Sequence, residues 1–250
     1  MMSGRELFIA GSADDLAREA ASRFVEAANR AMVARGRFSV ALSGGSTPRK
    51  LYTLLTQSPF RQAVDWTRVN LFFADERHVP ADHPDSTALL VRETLLAGVP
   101  VPDEQVFVMP CGDITPEGDA ATYSRTLEAF FGSGLPRFDL MLLGMGPDGH
   151  TASLFPGYPD YPGTVAAVHD SPKPPPIRLT LTLPVINQAR EILFLVTGAD
   201  KAQTLKVVFE SSPSALDALP AARVMPVDGA LCWLIDPAAA ADLPETLRGL

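Results

Sequence analysis

Residues 38–52 read FSVALSGGSTPRKLY. Phe38 to Leu42 is an apolar run of strand length, and Ser43-Gly44-Gly45-Ser46 has the composition of a turn. Thr47-Pro48 then opens a helix, because proline is favoured in the first turn, where no intrahelical N–H bond is lost. Strand, glycine turn and helix make the first part of a βαβ unit, and the same alternation runs through the rest of the chain.

Upstream, Leu7 to Ala10 reads as a short strand. Ser12 caps a helix whose Leu16, Ala20, Phe24, Ala27, Ala31 and Met32 fall at 3.6-residue spacing until Gly36 ends it. Downstream, Val69 to Ala74 is a buried strand, Ser86 to Leu96 and Pro116 to Phe131 are helices, and Phe138 to Leu143 is a strand. Arg178 to Leu183 and Ile192 to Val196 also read as strands, Asp200 to Phe209 as a helix, and Leu231 to Ile235 as a last strand before a short Ala-rich helix. Seven prolines in residues 156–176, including Pro172-Lys-Pro-Pro-Pro176, argue against a helix or a central strand there. That segment reads as a loop, either a stiff connection or a ligand for a proline-recognition domain. The pattern implies a mostly parallel sheet covered by helices. With no repeat and no linker, residues 1–250 are expected to form a single domain.

Composition narrows the function. The chain has 250 residues, 46% hydrophobic and 20% charged, as in ordinary globular proteins. A net charge of −8 argues against a nucleic-acid partner, since phosphate backbones need a basic face. An anionic ligand would need positive charge supplied locally. The opening MMSGRELFIAGSADD lacks a signal-peptide apolar core, and no run approaches the roughly 18 apolar residues of a membrane span, so a cytoplasmic location and no membrane partner are expected. Cys111 and Cys232 fit no paired metal spacing and are expected to be buried thiols. The oligomeric state is not encoded in any motif; a monomer is the working expectation.

Four stretches carry chemistry. GMGPDGHTASLFPG, residues 144–157, opens with a literal G-x-G-x-x-G. Dinucleotide binding requires that fingerprint to start a long helix, and Pro156, Pro159 and Pro162 stop one early, while Pro147 removes an N–H from the loop. SGGSTP, residues 43–48, brings two glycines, hydroxyl donors and a helix N-terminus together, which suits a phosphate, although a plain capped turn has the same composition. It is not a Walker A loop. ADERH, residues 74–78, ends a buried strand, where α/β ligands usually bind, and Arg77 could clamp a phosphate. Asp75, Glu76, His78, Asp82, His83 and Asp85 could instead suggest a metal or a solvated loop, but no helical ligand spacing supports a metal. Finally, His150 can exchange a proton near neutrality, with Asp148 two residues before it to set its tautomer. No G-x-S-x-G elbow occurs, which leaves water as the leading nucleophile.

Taken together, ALSGGSTPRKLY (41–52), FFADERHVP (72–80) and DLMLLGMGPDGHTASLFPG (139–157) resemble the 6-phosphogluconolactonase family. PKPPPIRLTLTLPVIN (172–187), VTGADKAQTL (196–205) and LCWLIDPAAA (231–240) extend the resemblance in order along the chain. It implies a Rossmann-like, doubly wound α/β fold with helices on both faces, and hydrolysis of 6-phospho-D-glucono-1,5-lactone without metal or organic cofactor. By motif it assigns phosphate recognition to Gly44, Gly45, Ser46, Thr47 and Arg77 and the general base to His150. Arg178 and Lys201 match basic positions of the family, and Asp75 beside Arg77 is carried as a further substrate contact. The wider group includes glucosamine-6-phosphate deaminases, whose pattern has a carboxylate five residues after the histidine, in a segment like GHIAFNEP. Phe155 occupies that position here and cannot transfer a proton. The alternatives are a deaminase-like isomerase and a non-catalytic sugar-phosphate binder.

Overall fold

A computed structural model describes residues 5–112, 115–210 and 218–248. Six parallel strands form the main sheet in the order β1 (Arg5–Ile9), β9 (Ala230–Ile235), β8 (Glu191–Val196), β5 (Leu140–Leu143), β2 (Phe38–Leu42), β3 (Val69–Phe73). Strands β2, β3 and β5 are buried throughout, which is why they read as continuous apolar runs. A second, antiparallel sheet orders β4 (Asp75–Arg77), β7 (Arg178–Leu181) and β6 (Val165–Val168). It grows from the end of β3: Ala74 N–H bonds back to Leu42 O, and Ala74 O accepts from Leu181 N–H, each at 2.8 Å.

Helices cover both faces of the main sheet. Helix α1 (Ala13–Arg35) starts at a Ser12 side-chain cap and ends on Gly36 at φ +76°, as its sequence signals require. Its Phe24 meets Phe38 of β2 edge-on at 5.3 Å. Ala41 of β2 and Phe72 of β3 are register partners and so face the opposite side, where Phe72 meets Phe130 and Phe131 of α4 (Pro116–Phe131). Helix α2 (Ser46–Leu55) lies with α1. Helix α3 (Thr87–Val91) continues through a π turn, Arg92–Leu96, and so fills the predicted 86–96 segment in two geometries.

Two readings are corrected. The proline-rich segment contains β6, because residues 163–171 are proline-free and β6 is an edge strand paired only with β7, a position that tolerates flanking prolines. The Ala-rich helix after β9 is a run of turns instead: Asp236 caps it through its carboxylate on Ala239 N–H at 2.8 Å, and Pro244 follows within a few residues. Cys111 and Cys232 form no disulfide; Cys232 is buried and Cys111 partly so. No described helix is long and apolar enough to cross a membrane.

Candidate active site

The chain order along the sheet reverses between β2 and β5. The segments leaving their carboxyl ends diverge, one into α2 on the α1 side, the other toward the small sheet that packs on α4. A cavity of about 240 Å³ sits in this crevice, the usual ligand position of an open α/β sheet. Nine residues singled out from sequence line it: Gly44, Gly45, Ser46, Thr47, Asp75, Arg77, His150, Arg178 and Lys201. Asp148 does not; it stands behind His150.

The loop after β2 is pinned from below. Ser43 Oγ donates to Leu142 O of β5 at 2.8 Å, and the buried Tyr52 hydroxyl donates to Ser43 O at 2.7 Å. Gly45 turns the chain at φ +113°, and α2 begins with no side-chain cap, so the N–H groups of Ser46 and Thr47 lack intrahelical partners at the cavity wall. These donors and the positive end of the helix can hold an anion. Across the cavity mouth, Thr47 Oγ1 lies 2.7 Å from Thr197 Oγ1 in the loop after β8.

Strand β4 sorts the ADERH segment by its two-residue period. Asp75 and Arg77 face the cavity. Glu76 faces away and is 2% exposed: its carboxylate accepts from the backbone N–H groups of Arg77 and Thr87 at 2.7 Å and Ala88 at 2.8 Å, and from Ser86 Oγ at 3.2 Å. Burial raises its pKa, against the lowering effect of those N–H groups. His78 meets Asp119 at 2.8 Å. The apparent acidic and histidine cluster is thus dispersed, and no group of three or more His, Cys, Asp or Glu among the described residues could hold a metal ion.

Two arginines stand directly opposite each other on β4 and β7, Arg77 against Arg178. Like charges in such a pair repel, and neither makes a salt bridge among the described residues. Arg77 Nη1 donates to Asp85 O at 2.7 Å. Arg178 is 5% exposed and donates to three carbonyls of the proline-rich segment: Lys173 at 3.1 Å, Pro174 at 3.0 Å and Pro175 at 3.3 Å. Burial lowers its pKa, Asp75 opposes that shift and Arg77 adds to it. A cationic pair facing a cavity, one member buried and the other partly exposed, is arranged for an anion. Lys201 adds a third positive charge, tethered by Asp200.

The loop after β5 presents His150. Gly149 N–H bonds to Gly146 O at 3.0 Å with Gly149 at φ +84°, and Gly146 N–H bonds to His150 O at 2.9 Å, closing a compact turn. A Cβ on Gly146 would fall 2.1 Å from ring atoms Nδ1 and Cε1 of His150, so only glycine lets the imidazole lie there. His150 Nδ1 is 2.5 Å from Asp148 Oδ1. Burial pushes the Asp148 pKa up, but the charge of His150 and the hydrogen bonds from its ring and backbone outweigh this, and the net shift is down. An ionised carboxylate only accepts, so the proton of the neutral imidazole resides on Nδ1 and Nε2 keeps its lone pair.

Residues 11–233 match the model of a family described as glucosamine-6-phosphate isomerases/6-phosphogluconolactonase. The chain belongs to this family. A 6-phosphogluconolactonase from Rattus norvegicus is 49% identical over 82% of this chain and 80% of its own. The solved 6-phosphogluconolactonase of Trypanosoma brucei superposes with a TM-score of 0.83 at 30% identity, covering 96% of this chain and 99% of that one. A monomeric glucosamine-6-phosphate deaminase shares the fold at a TM-score of 0.80 and 19% identity, over 95% of this chain and 99% of that one. The Phe155 ring is buried and its centroid lies 4.9 Å from that of His150.

Sequence reasoning missed the supports. Ser153 Oγ donates to Asp75 Oδ2 at 2.8 Å, and Ser153 N–H donates to Thr180 Oγ1 at 3.2 Å, which fixes the carboxylate. Ser43, Tyr52 and Thr197 lie within stretches quoted from the sequence, but the bonds they make were not legible there. The prolines around Arg178 were visible, but not that their carbonyls converge on its guanidinium.

Proposed function

We propose that the chain hydrolyses 6-phospho-D-glucono-1,5-lactone to 6-phospho-D-gluconate, with His150 as general base. The observation that carries this reading is an imidazole whose Nδ1 meets Asp148, in the same cavity as two opposed arginines and an uncapped helix N-terminus. The close similarity to 6-phosphogluconolactonases names the substrate.

In this mechanism the phosphate lies among the N–H groups of Ser46 and Thr47 and the side chains of Arg77, Arg178 and Lys201, with Gly44 and Gly45 allowing close approach. Asp75 accepts from a sugar hydroxyl. Binding of the remote phosphate fixes the lactone carbonyl near His150. His150 Nε2 takes a proton from water as the oxygen bonds to C1, and the carbonyl becomes a tetrahedral oxyanion. On collapse the ring C–O bond breaks and the imidazolium returns its proton to the leaving ring oxygen. Asp148 stabilises the imidazolium without attacking, as a triad carboxylate does.

Proton release on lactone hydrolysis, corrected for the spontaneous reaction, tests the assignment. His150→Ala is expected to lower kcat on the order of 10²- to 10⁴-fold, the usual worth of a general base. Wild-type turnover in a folded His150→Ala would remove His150 from the mechanism. Steady ammonia release from glucosamine 6-phosphate without lactonase activity would favour the deaminase reading.

A further inference from the structure

We infer that Phe155 is a positioning residue for this reaction: its ring clamps the His150 imidazole in the one orientation that keeps Nε2 toward the substrate. The inference rests on the reading of His150 as base. A hydrogen bond from Nδ1 to Asp148 holds one atom of the ring but leaves it free to tilt about the Nδ1···Oδ1 line. Two contacts remove that freedom. The Nδ1–Cε1 edge lies against Gly146, close enough that a Cβ would overlap it at 2.1 Å. Phe155 packs on the ring with centroids 4.9 Å apart and planes at 43°.

Phe155 is itself 3% exposed and sits against Tyr158, ring centroids 5.7 Å apart. It is a wall of a second cavity of about 230 Å³, lined also by Tyr158, Tyr161, Leu183 and Asn187. Phe155 thus joins the wall of this second cavity to His150, which lines the first. A side chain of similar bulk without a flat ring would fill the volume but leave the imidazole able to tilt, and a small displacement of a catalytic group is costly in rate.

Phe155→Leu and Phe155→Met keep apolar bulk and lose the ring, whereas Phe155→Tyr keeps it. The clamp predicts that kcat falls about tenfold in the Leu and Met variants with KM within about twofold, and that Tyr retains kcat within about threefold. Ring ¹⁵N resonances, assigned by comparison with His150→Ala, provide a readout independent of turnover. Wild type is expected to give one sharp set of His150 ring resonances, and the Leu variant, with the bond from Nδ1 to Asp148 kept, a set exchange-broadened by tilting of the ring. Unchanged kcat and unbroadened His150 ring resonances in Phe155→Leu would overturn the clamp, as would equal losses in the Tyr and Leu variants. If His150→Ala kept turnover while Phe155→Leu still broadened the His150 ring resonances, the base assignment would fall and the clamp would stand.

Discussion

At the scale of single residues, Asp148 shows how one contact couples stability to chemistry. Its carboxyl pKa lies below the ordinary value, so the ionised form is favoured in the folded state. The associated stabilisation is complete above the unfolded-state pKa and is lost as pH falls through the lower folded one. Asp148→Asn should remove this dependence, flattening the fall in urea midpoint between neutral pH and about pH 3. It should also cost activity at neutral pH. An amide can donate to Nδ1, which moves the imidazole proton to Nε2, the atom that must be bare. A loss of kcat on the order of 10²- to 10⁴-fold is expected, and wild-type kcat in the Asn variant would exclude an orienting role. Both partners were legible in the sequence, because they are two residues apart and of the right chemical types. That Gly146 must lack a Cβ was not, since the overlap is with a ring four residues on, brought back by the turn.

Among the secondary-structure elements, the least legible was β6, which pairs with the strand that carries Arg178. Prolines marked residues 156–176 as irregular, yet between them β6 pairs with β7, and the carbonyls of Lys173, Pro174 and Pro175 face back onto Arg178. Period and composition report what a segment cannot be; they do not report where its carbonyls converge. The buried strands β2, β3 and β5 were read well, because a strand covered on both faces leaves a continuous apolar run. Strand β4 was harder, since three polar residues in a row hide the alternation that sends Glu76 to α3 and Asp75 and Arg77 to the cavity. Arg178→Lys tests the proline-rich cradle. One ammonium cannot reach three carbonyls and an anion at once, and buried carbonyls left unpaired are costly. The variant should lose about 1–3 kcal/mol in urea unfolding and raise KM for the lactone about tenfold or more. Unchanged stability and KM would mean that the guanidinium fork is not needed.

For the molecule as a whole, the notable feature is a local reversal of charge. The chain carries a net −8, yet the cavity gathers Arg77, Arg178, Lys201 and a helix N-terminus, with Asp75 in the same lining and Asp200 paired to Lys201. Bringing such groups together raises the energy of the empty fold, so an anion that binds them should stabilise the folded state by mass action. At ten times its dissociation constant, inorganic phosphate should add about 1.4 kcal/mol, or about 3–6 °C in Tm for a chain of this size. Phosphate also stabilises proteins generally by exclusion from their surfaces. The decisive quantity is therefore the difference between wild type and Arg77→Ala, each compared with chloride at matched ionic strength. The site-specific part should vanish in the variant, which keeps the same exclusion effect. Equal shifts in both proteins would mean that Arg77 does not hold the phosphate, and any bound anion would have to rest on Arg178, the α2 N-terminus and Lys201 without it.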